Sequence, residues 1–334
     1  MENLISEKQC RKILAKVSPR FILESYEVKK LEQESMGGLI GLHYKLYLQY
    51  KENNKKEEIQ FFLKTLNRRS TTMYRVSTDL RMFKKESLFY MSFLPLFRDK
   101  GIDVSFAPRG YLCENDCVVI EDLSLSKFKL YPKSESLDLE HCYGCLTALA
   151  KFHMSSILYE IYTSEDLGTK YSFLDEHPDL KNLAFSQDDN YGALLMEKAV
   201  LGILDVAKLE FVEKGEFHDF ENKLNTILSN QDENSKFRKC LLHGDLWSNN
   251  FLHKYEKNKL VESKLIDFQL LNYGPPSSDV LHFIYSNTRR KFRDEYFDTL
   301  LTYYYKKLKE FYMIRAYLSK KFFQKRNILN PVKS

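Results

Sequence analysis

The chain has 334 residues, 43% hydrophobic and 14% aromatic, with a formal net charge of +5, so it can bury a large core as two domains or as one domain with a long insertion. Six cysteines are too few for a disulfide scaffold of this size, and no window approaches 18 consecutive apolar residues, which excludes a membrane-spanning helix. The charge is uneven: from Lys306 onward there are nine Lys/Arg against one Glu, so the basicity belongs to the tail.

The opening MENLISEKQCRKILAKVSPR mixes charges through its apolar positions and has no signal-peptide core, so a cytoplasmic protein is expected. Residues 22–65 alternate as a small antiparallel sheet does, with strands expected in FILESYEVKKL, LHYKLYLQY and IQFFLKTL and a charged turn in KENNKKEE. Between the first two strands lies MGGLIG, with Gly37, Gly38 and Gly41. Such glycines let backbone N–H groups approach a phosphate, and they serve equally as a plain hairpin turn.

STDLRMFKKESLFYMSFLPLFRDKG follows as a helix whose apolar stripe runs Phe83, Tyr90, Phe93, Phe97. Glu86 falls on that stripe. A core-facing carboxylate needs a cation, for which Lys64 on the third strand is the candidate; the alternative is a boundary glutamate reaching solvent. DCVVIEDLSL reads as a short buried strand with a polar exit at Glu121, Asp122 and Leu123. Helices are expected near 138–162, 190–214 and 217–229. The first contains Cys142 and Cys145, which share helical spacing with Leu146, Leu149 and Phe152 and read as core cysteines rather than metal ligands. The basic tail reads as a solvated terminal helix, or as a surface for an anionic membrane or nucleic acid; no nucleic-acid motif, internal repeat or oligomer-specifying feature is present.

Strand signals return at LLHGDLWSNN, residues 241–250, and LIDFQLL. If 251–256 and 263–268 pair about a turn near residue 258, Asn250 and Asp267 meet at the open end, with Asp245 in the loop entering the first strand. Two carboxylates and an amide on one point suit Mg²⁺, and an aspartate that stays off the metal can accept a proton from a hydroxyl. This is the kinase pattern H-x-D-x-x-x-x-N followed by an aspartate. Singly, His243 reads as a core histidine, Asp245 as a turn residue, Asn250 as a cap and Asp267 as an exposed carboxylate. Their order along the chain makes the set.

Spacing separates the kinds of kinase. Only eleven residues lie between Asp267 and Asp279, too few for the activation segment that serves a protein kinase as peptide platform, and Gly244 stands where such an enzyme has an arginine. About 120 mainly helical residues lie between Glu121 and His243, room for a pocket that takes a small apolar guest.

LLHGDLWSNNFL and KLIDFQLLNYGPPSSDVLHFIY, together with FFLKTL, FKKESLFY, VVIEDL and LAKFHMSS, resemble the ecdysteroid kinase-like family of the choline kinase-like and aminoglycoside phosphotransferase-like branch, over roughly residues 20–308. The resemblance implies an α+β, bilobal protein-kinase-like fold: a small antiparallel-sheet lobe with one helix (1–123) and a larger, mainly helical lobe with a helical insertion (124–334). It implies ATP and Mg²⁺, and phosphoryl transfer to a hydroxyl of an ecdysteroid or other small lipophilic compound. Carried over, Asp245 is the catalytic base, Asn250 and Asp267 hold Mg²⁺, Lys64 paired with Glu86 contacts the phosphates, Glu121, Asp122 and Leu123 line the adenine hinge, and His243 and Asp279 brace the catalytic loop. His153 matches a family histidine or packs between helices.

Two departures stand out. The loop MGGLIGLHYKLYL lacks the asparagine and serine of many relatives, so phosphate contacts there would be through backbone. The C-terminal lobe is expected to be truncated relative to the family, because several helices usually follow YYYKKL. The alternative function is a catalytically weak pseudokinase that binds a small ligand.

Overall fold

The computed structural model describes residues 4–31, 41–53, 55–68, 70–114, 117–132, 135–181, 191–213, 215–229 and 238–328. It opens with α1 (Glu7–Val17), which the sequence reading passed over although its signal is local. The Ser6 hydroxyl accepts from the Gln9 amide, and the Gln9 side chain accepts from the Ser6 amide at 2.9 Å, a reciprocal cap. Cys10, Ile13 and Leu14 fall on one helical face and are buried against the sheet.

That sheet is antiparallel, in the order β1-β2-β3-β5-β4: β1 (Ile22–Lys30), β2 (Gly41–Glu52), β3 (Lys55–Leu66), β4 (Gly110–Glu114) and β5 (Cys117–Glu121). The expected charged turn is mostly strand. β2 and β3 stay paired out to Glu52 opposite Lys55, with Asn53 at φ +50 starting the tight connection. Charged side chains sit comfortably there because the outer ends of both strands face solvent.

The helix expected over 77–101 is divided, and the one helix expected beside this sheet is joined by α1 and α2. α2 (Thr71–Asp79) ends before Arg81, which lies at φ +54 and turns the chain into α3 (Met82–Leu88). A π turn over Phe89–Phe93 then leads into α4 (Leu94–Asp99). Pro95 lacks the N–H needed to continue the α-helical ladder, and the Leu94 amide reaches back to the Phe89 carbonyl instead.

The larger part is mainly helical, so the whole is α+β. It contains β6 (Phe128–Leu130), α5 (Leu139–Leu167), α6 (Phe173–Glu176), α7 (Tyr191–Phe211) and α8 (Phe217–Ser229), close to the expected helices. β7 (Cys240–Leu242), β8 (Phe251–Glu256), β9 (Lys259–Leu265), β10 (Asn272–Gly274), α9 (Pro276–Asn287) and α10 (Arg290–Ile328) complete it. β6, β8 and β9 form one small sheet, while β7 pairs with β10.

α5 runs through the core and stops at Gly168, whose φ of +68 suits a left-handed cap. Cys142, Cys145, Leu146, Leu149 and Phe152 are fully buried in it, and burial pushes the Cys142 thiol up to about 12, so these cysteines act as apolar packing. The basic tail is helical through Ile328; side chains past Met313 lie outside the described residues. Among the described residues no helix is long and apolar enough to cross a membrane.

The β8–β9 hairpin turns at Lys257 and Asn258, both at positive φ, and pairs Phe251 with Leu265. Its second strand covers 259–265 rather than the expected 263–268. Residues 266–270 leave the ladder because Asp267 adopts φ +66 and Phe268–Leu270 coil into a single 3-10 turn.

Candidate active site

Lys64 on β3 is buried, and its ammonium sits at the centre of the site. It donates to Glu86 Oε2 at 2.9 Å, to Asp267 Oδ1 at 2.5 Å and to Gln269 Oε1 at 3.1 Å. Glu86 reaches it from α3, so the buried carboxylate on the apolar stripe does meet its cation. Burial alone would pull the Lys64 ammonium down, but Asp267 and Glu86 more than offset it and hold the proton well above the usual lysine range. Burial pushes the Glu86 carboxyl up, against the pull of Lys64. Two carboxylates share one cation, a local excess of negative charge suited to a second cation.

Gly41 makes room for this lysine. A Cβ there would lie 3.0 Å from Lys64 Cε and 3.1 Å from Cγ, so its place in the site is clearance for the Lys64 stem. Gly37 and Gly38 lie outside the described residues.

The loop from His243 to Asn250 is pinned from several directions. Asp279, in the first turn of α9, accepts from the His243 amide at 2.7 Å and the Gly244 amide at 3.1 Å. His153 on α5 bonds the same carboxylate at 3.1 Å and meets the Tyr304 hydroxyl of α10 at 2.6 Å, so its role goes beyond helix packing. Burial works against the charge on Asp279, yet the bonds from His153 and the His243 amide keep its carboxyl below the usual range. His243 donates from Nε2 to the Ile266 carbonyl at 2.9 Å while Nδ1 accepts the Asp245 amide, which ties this loop to the segment carrying Asp267.

Asn250 spends both amide hydrogens on Asp245, donating to its carbonyl at 2.7 Å and its Oδ2 at 3.0 Å. The side-chain Oδ1 of Asn250 is thereby left for a cation, and the Asp245 carboxylate is oriented. Burial raises the Asp245 carboxyl, and the nearby charge of Asp267 adds to the effect. Asn250, Asp267, Lys64 and Glu86 line one cleft of about 190 Å³, whose other wall includes Glu121, Asp122 and Leu123.

Asp122 is a structural member of that wall. Its carboxylate is buried and accepts from Lys45, Gln60 and Ser124, bonds that outweigh burial and hold it in the charged form. Lys45 thus clasps β2 to the segment after β5. Two residues that line the cleft, His43 and Trp247, and one that bonds Lys64, Gln269, were not singled out in the sequence. His43 lies directly opposite Lys64 in the β2–β3 register and is driven down to about 4, by burial and then by Lys64. A turn centred at 53–54 pairs residues 43 and 64, whereas a turn spread over 51–58 pairs 64 with 45. Gln269, two residues after Asp267, and the exposed Trp247 are the others.

A family model for the ecdysteroid kinase-like family matches residues 38–316. Among solved structures, APH(2")-IIa in a ternary complex with streptomycin and ATP shares 16% identity at a TM-score of 0.38, covering 90% of this chain and 84% of that one. Spectinomycin phosphotransferase APH(9)-Ia with ADP and spectinomycin shares 14% at 0.38, covering 91% and 80%. Plasmodium vivax ethanolamine kinase shares 11% at 0.37, covering 86% and 73%. No curated protein matches the chain.

Proposed function

The chain belongs to the ecdysteroid kinase-like family, as a small-molecule kinase with a hydroxyl acceptor, and from that premise we propose that it transfers the γ-phosphoryl group of ATP to an ecdysteroid-like or other small lipophilic alcohol. The observation that carries the reading is the Lys64 ammonium held between Glu86 and Asp267 in the cleft that Asn250 also lines, with Asp245 bonded to Asn250. The nucleotide base lies along Glu121–Leu123, between lobes divided near Leu123, and its phosphates reach Lys64.

The donor set fits a hard cation: Asp267 and the amide oxygen of Asn250 offer oxygen only, with positions left for phosphate and water. Mg²⁺ held there would neutralise phosphate charge. Asp245 accepts the proton of the acceptor hydroxyl as that oxygen bonds to the γ-phosphorus; the bond from phosphorus to the bridging oxygen breaks, and ADP leaves with its electron pair. Lys64 stabilises the phosphates from a dry site, where one charge counts for more than in water.

The test is an incubation of the purified chain with Mg·ATP and a small-molecule extract, followed by a search for products heavier by one phosphate. Asp245→Asn is expected to lower turnover by at least about a hundredfold while nucleotide binding persists. Wild-type protein that binds such an alcohol and transfers no phosphate would instead be the catalytically weak binding protein.

A further inference from the structure

Lys64 offers a phosphate charge but no free hydrogen. An ammonium has three hydrogens, and here they are spent on Glu86, Asp267 and Gln269. Two further donors in the cleft are committed as well: Lys45 holds Asp122 and Ser124, and the Asn250 amide holds Asp245. An anionic oxygen that enters beside Lys64 needs a donor from elsewhere.

His43 is placed to supply it. It stands directly opposite Lys64 in the β2–β3 register, and residues paired across an antiparallel ladder project from one face with Cβ atoms about 4.5–5.5 Å apart. Gly41 opens the space between them. A Cβ built there would lie 3.5 Å from His43 Nε2 and 3.0 Å from Lys64 Cε, so the imidazole nitrogen and the end of the lysine stem are at most about 6.5 Å apart. Two N–H···O bonds of about 2.8 Å, made to oxygens of one phosphate group, span such a gap.

The imidazole lines the cleft half-buried, with the Phe62 ring beside it at 5.4 Å between centroids. Among the described residues neither of its ring nitrogens has a hydrogen-bond partner. Burial, and then Lys64, keep the ring neutral near pH 7, which leaves it one N–H to donate. A polar ring withdrawn this far from water without a partner is costly until a ligand completes it. We infer that His43 is a phosphate-binding residue of the nucleotide site, its imidazole N–H donating to a phosphate oxygen that lies between it and Lys64. The inference rests on the proposed use of ATP and names a residue by which this chain tells a nucleotide from its nucleoside.

The test compares full-length wild type with His43→Phe, which keeps a ring and loses the donor, and with His43→Gln, which keeps a donor near the place of Nε2. Calorimetry in Mg²⁺ measures binding of a non-hydrolysable ATP analogue, of ADP and of adenosine. His43→Phe is expected to bind the analogue and ADP at least about tenfold more weakly and adenosine as tightly as wild type, while His43→Gln retains most of the phosphate-dependent affinity. Should the phenyl ring upset the sheet, as a thermal scan would show, His43→Ala carries the same expectation.

Unchanged binding of the analogue and ADP once the donor is gone overturns the inference. An equal loss for adenosine does so too, because it places His43 at the base rather than the phosphates. Phosphate transfer by His43→Phe with the wild-type KM for ATP would leave the kinase reading standing and remove this one. ADP binding that depends on His43, in a protein that transfers no phosphate, would do the reverse.

Discussion

At the scale of single residues, the site is arranged around what surrounds Lys64. Its ammonium satisfies three acceptors, and its stem runs past a glycine chosen for the absence of a side chain. Gly41→Ala adds one methyl at 3.0 Å from the lysine stem, an overpacking that costs about 1–3 kcal/mol and is relieved most readily by moving the lysine. The expected outcome is a KM for ATP raised about tenfold with a nearly unchanged melting temperature; steady-state kinetics alongside a thermal scan checks it, and an unaltered KM would mean the stem has slack. Gly244 has a different constraint. At φ +79, with the Leu270 carbonyl 2.5 Å from where a Cβ would lie, no side chain fits, which explains a glycine where a protein kinase has arginine.

At the scale of elements, the loop from His243 to Asn250 is held by α9 and, through His153, by α5 and α10. Asp279 is the junction, because one buried carboxylate receives two backbone amides and an imidazole. Asp279→Ala leaves those donors buried without an acceptor, a loss of about 3–5 kcal/mol. The expected signature in hydrogen exchange is faster exchange at the amides of residues 243 and 244, with β1–β3 as protected as before. Uniform loss of protection across both parts would show that Asp279 supports the whole fold rather than this loop. The π turn has a comparable local effect. It brings Phe89 and Tyr90 onto Phe268, the first ring stacked with centroids 3.5 Å apart and the second edge-on at 5.8 Å, next to Asp267 in its left-handed conformation.

At the scale of the molecule, one buried and one half-buried histidine give stability a defined acid limb. His253, fully buried between His141 and Ser263, is driven down to about 4 by burial, with His141 adding to the effect. His43 is driven to about 4 as well. The folded value lies below the ordinary one near 6.5, so the unfolded chain takes up the proton first. The contribution is complete above pH 6.5 and fades as pH falls toward 4; for His253 it amounts to roughly 3 kcal/mol. His253→Gln removes one such titration. In denaturant melts, the stability gap between wild type and this variant should narrow from pH 7 to pH 4.5. A gap that stays constant would show that His253 is not held neutral by the fold.

Much of this was legible in the sequence because it depends on local rules. Period-two and period-3.6 patterns located β1, β2 and β3 and α5, α7 and α8, and an apolar run located β5, since side-chain alternation and helical repeat follow directly from backbone geometry; β4 was not foreseen. The pairing of Lys64 with Glu86 could be anticipated from the cost of a carboxylate on an apolar stripe. The polar residues between His243 and Asn250 stood out by spacing alone, and the packed chain brings Asn250 to one cleft with Asp267 and Lys64.

What only the tertiary structure decided depends on register and on contacts between distant segments. The β2–β3 register hid His43, because a turn spread over 51–58 sets residue 45, two positions along, opposite Lys64 in its place. Asp122 lines the cleft beside Glu121 and Leu123, and its carboxylate is in addition claimed by Lys45 and Gln60, more than sixty positions upstream. His153 found Asp279 across 126 positions. Sequence specifies which groups are present and how each segment coils; only the packed chain determines which charges are already spent on one another and which surfaces remain free for a substrate.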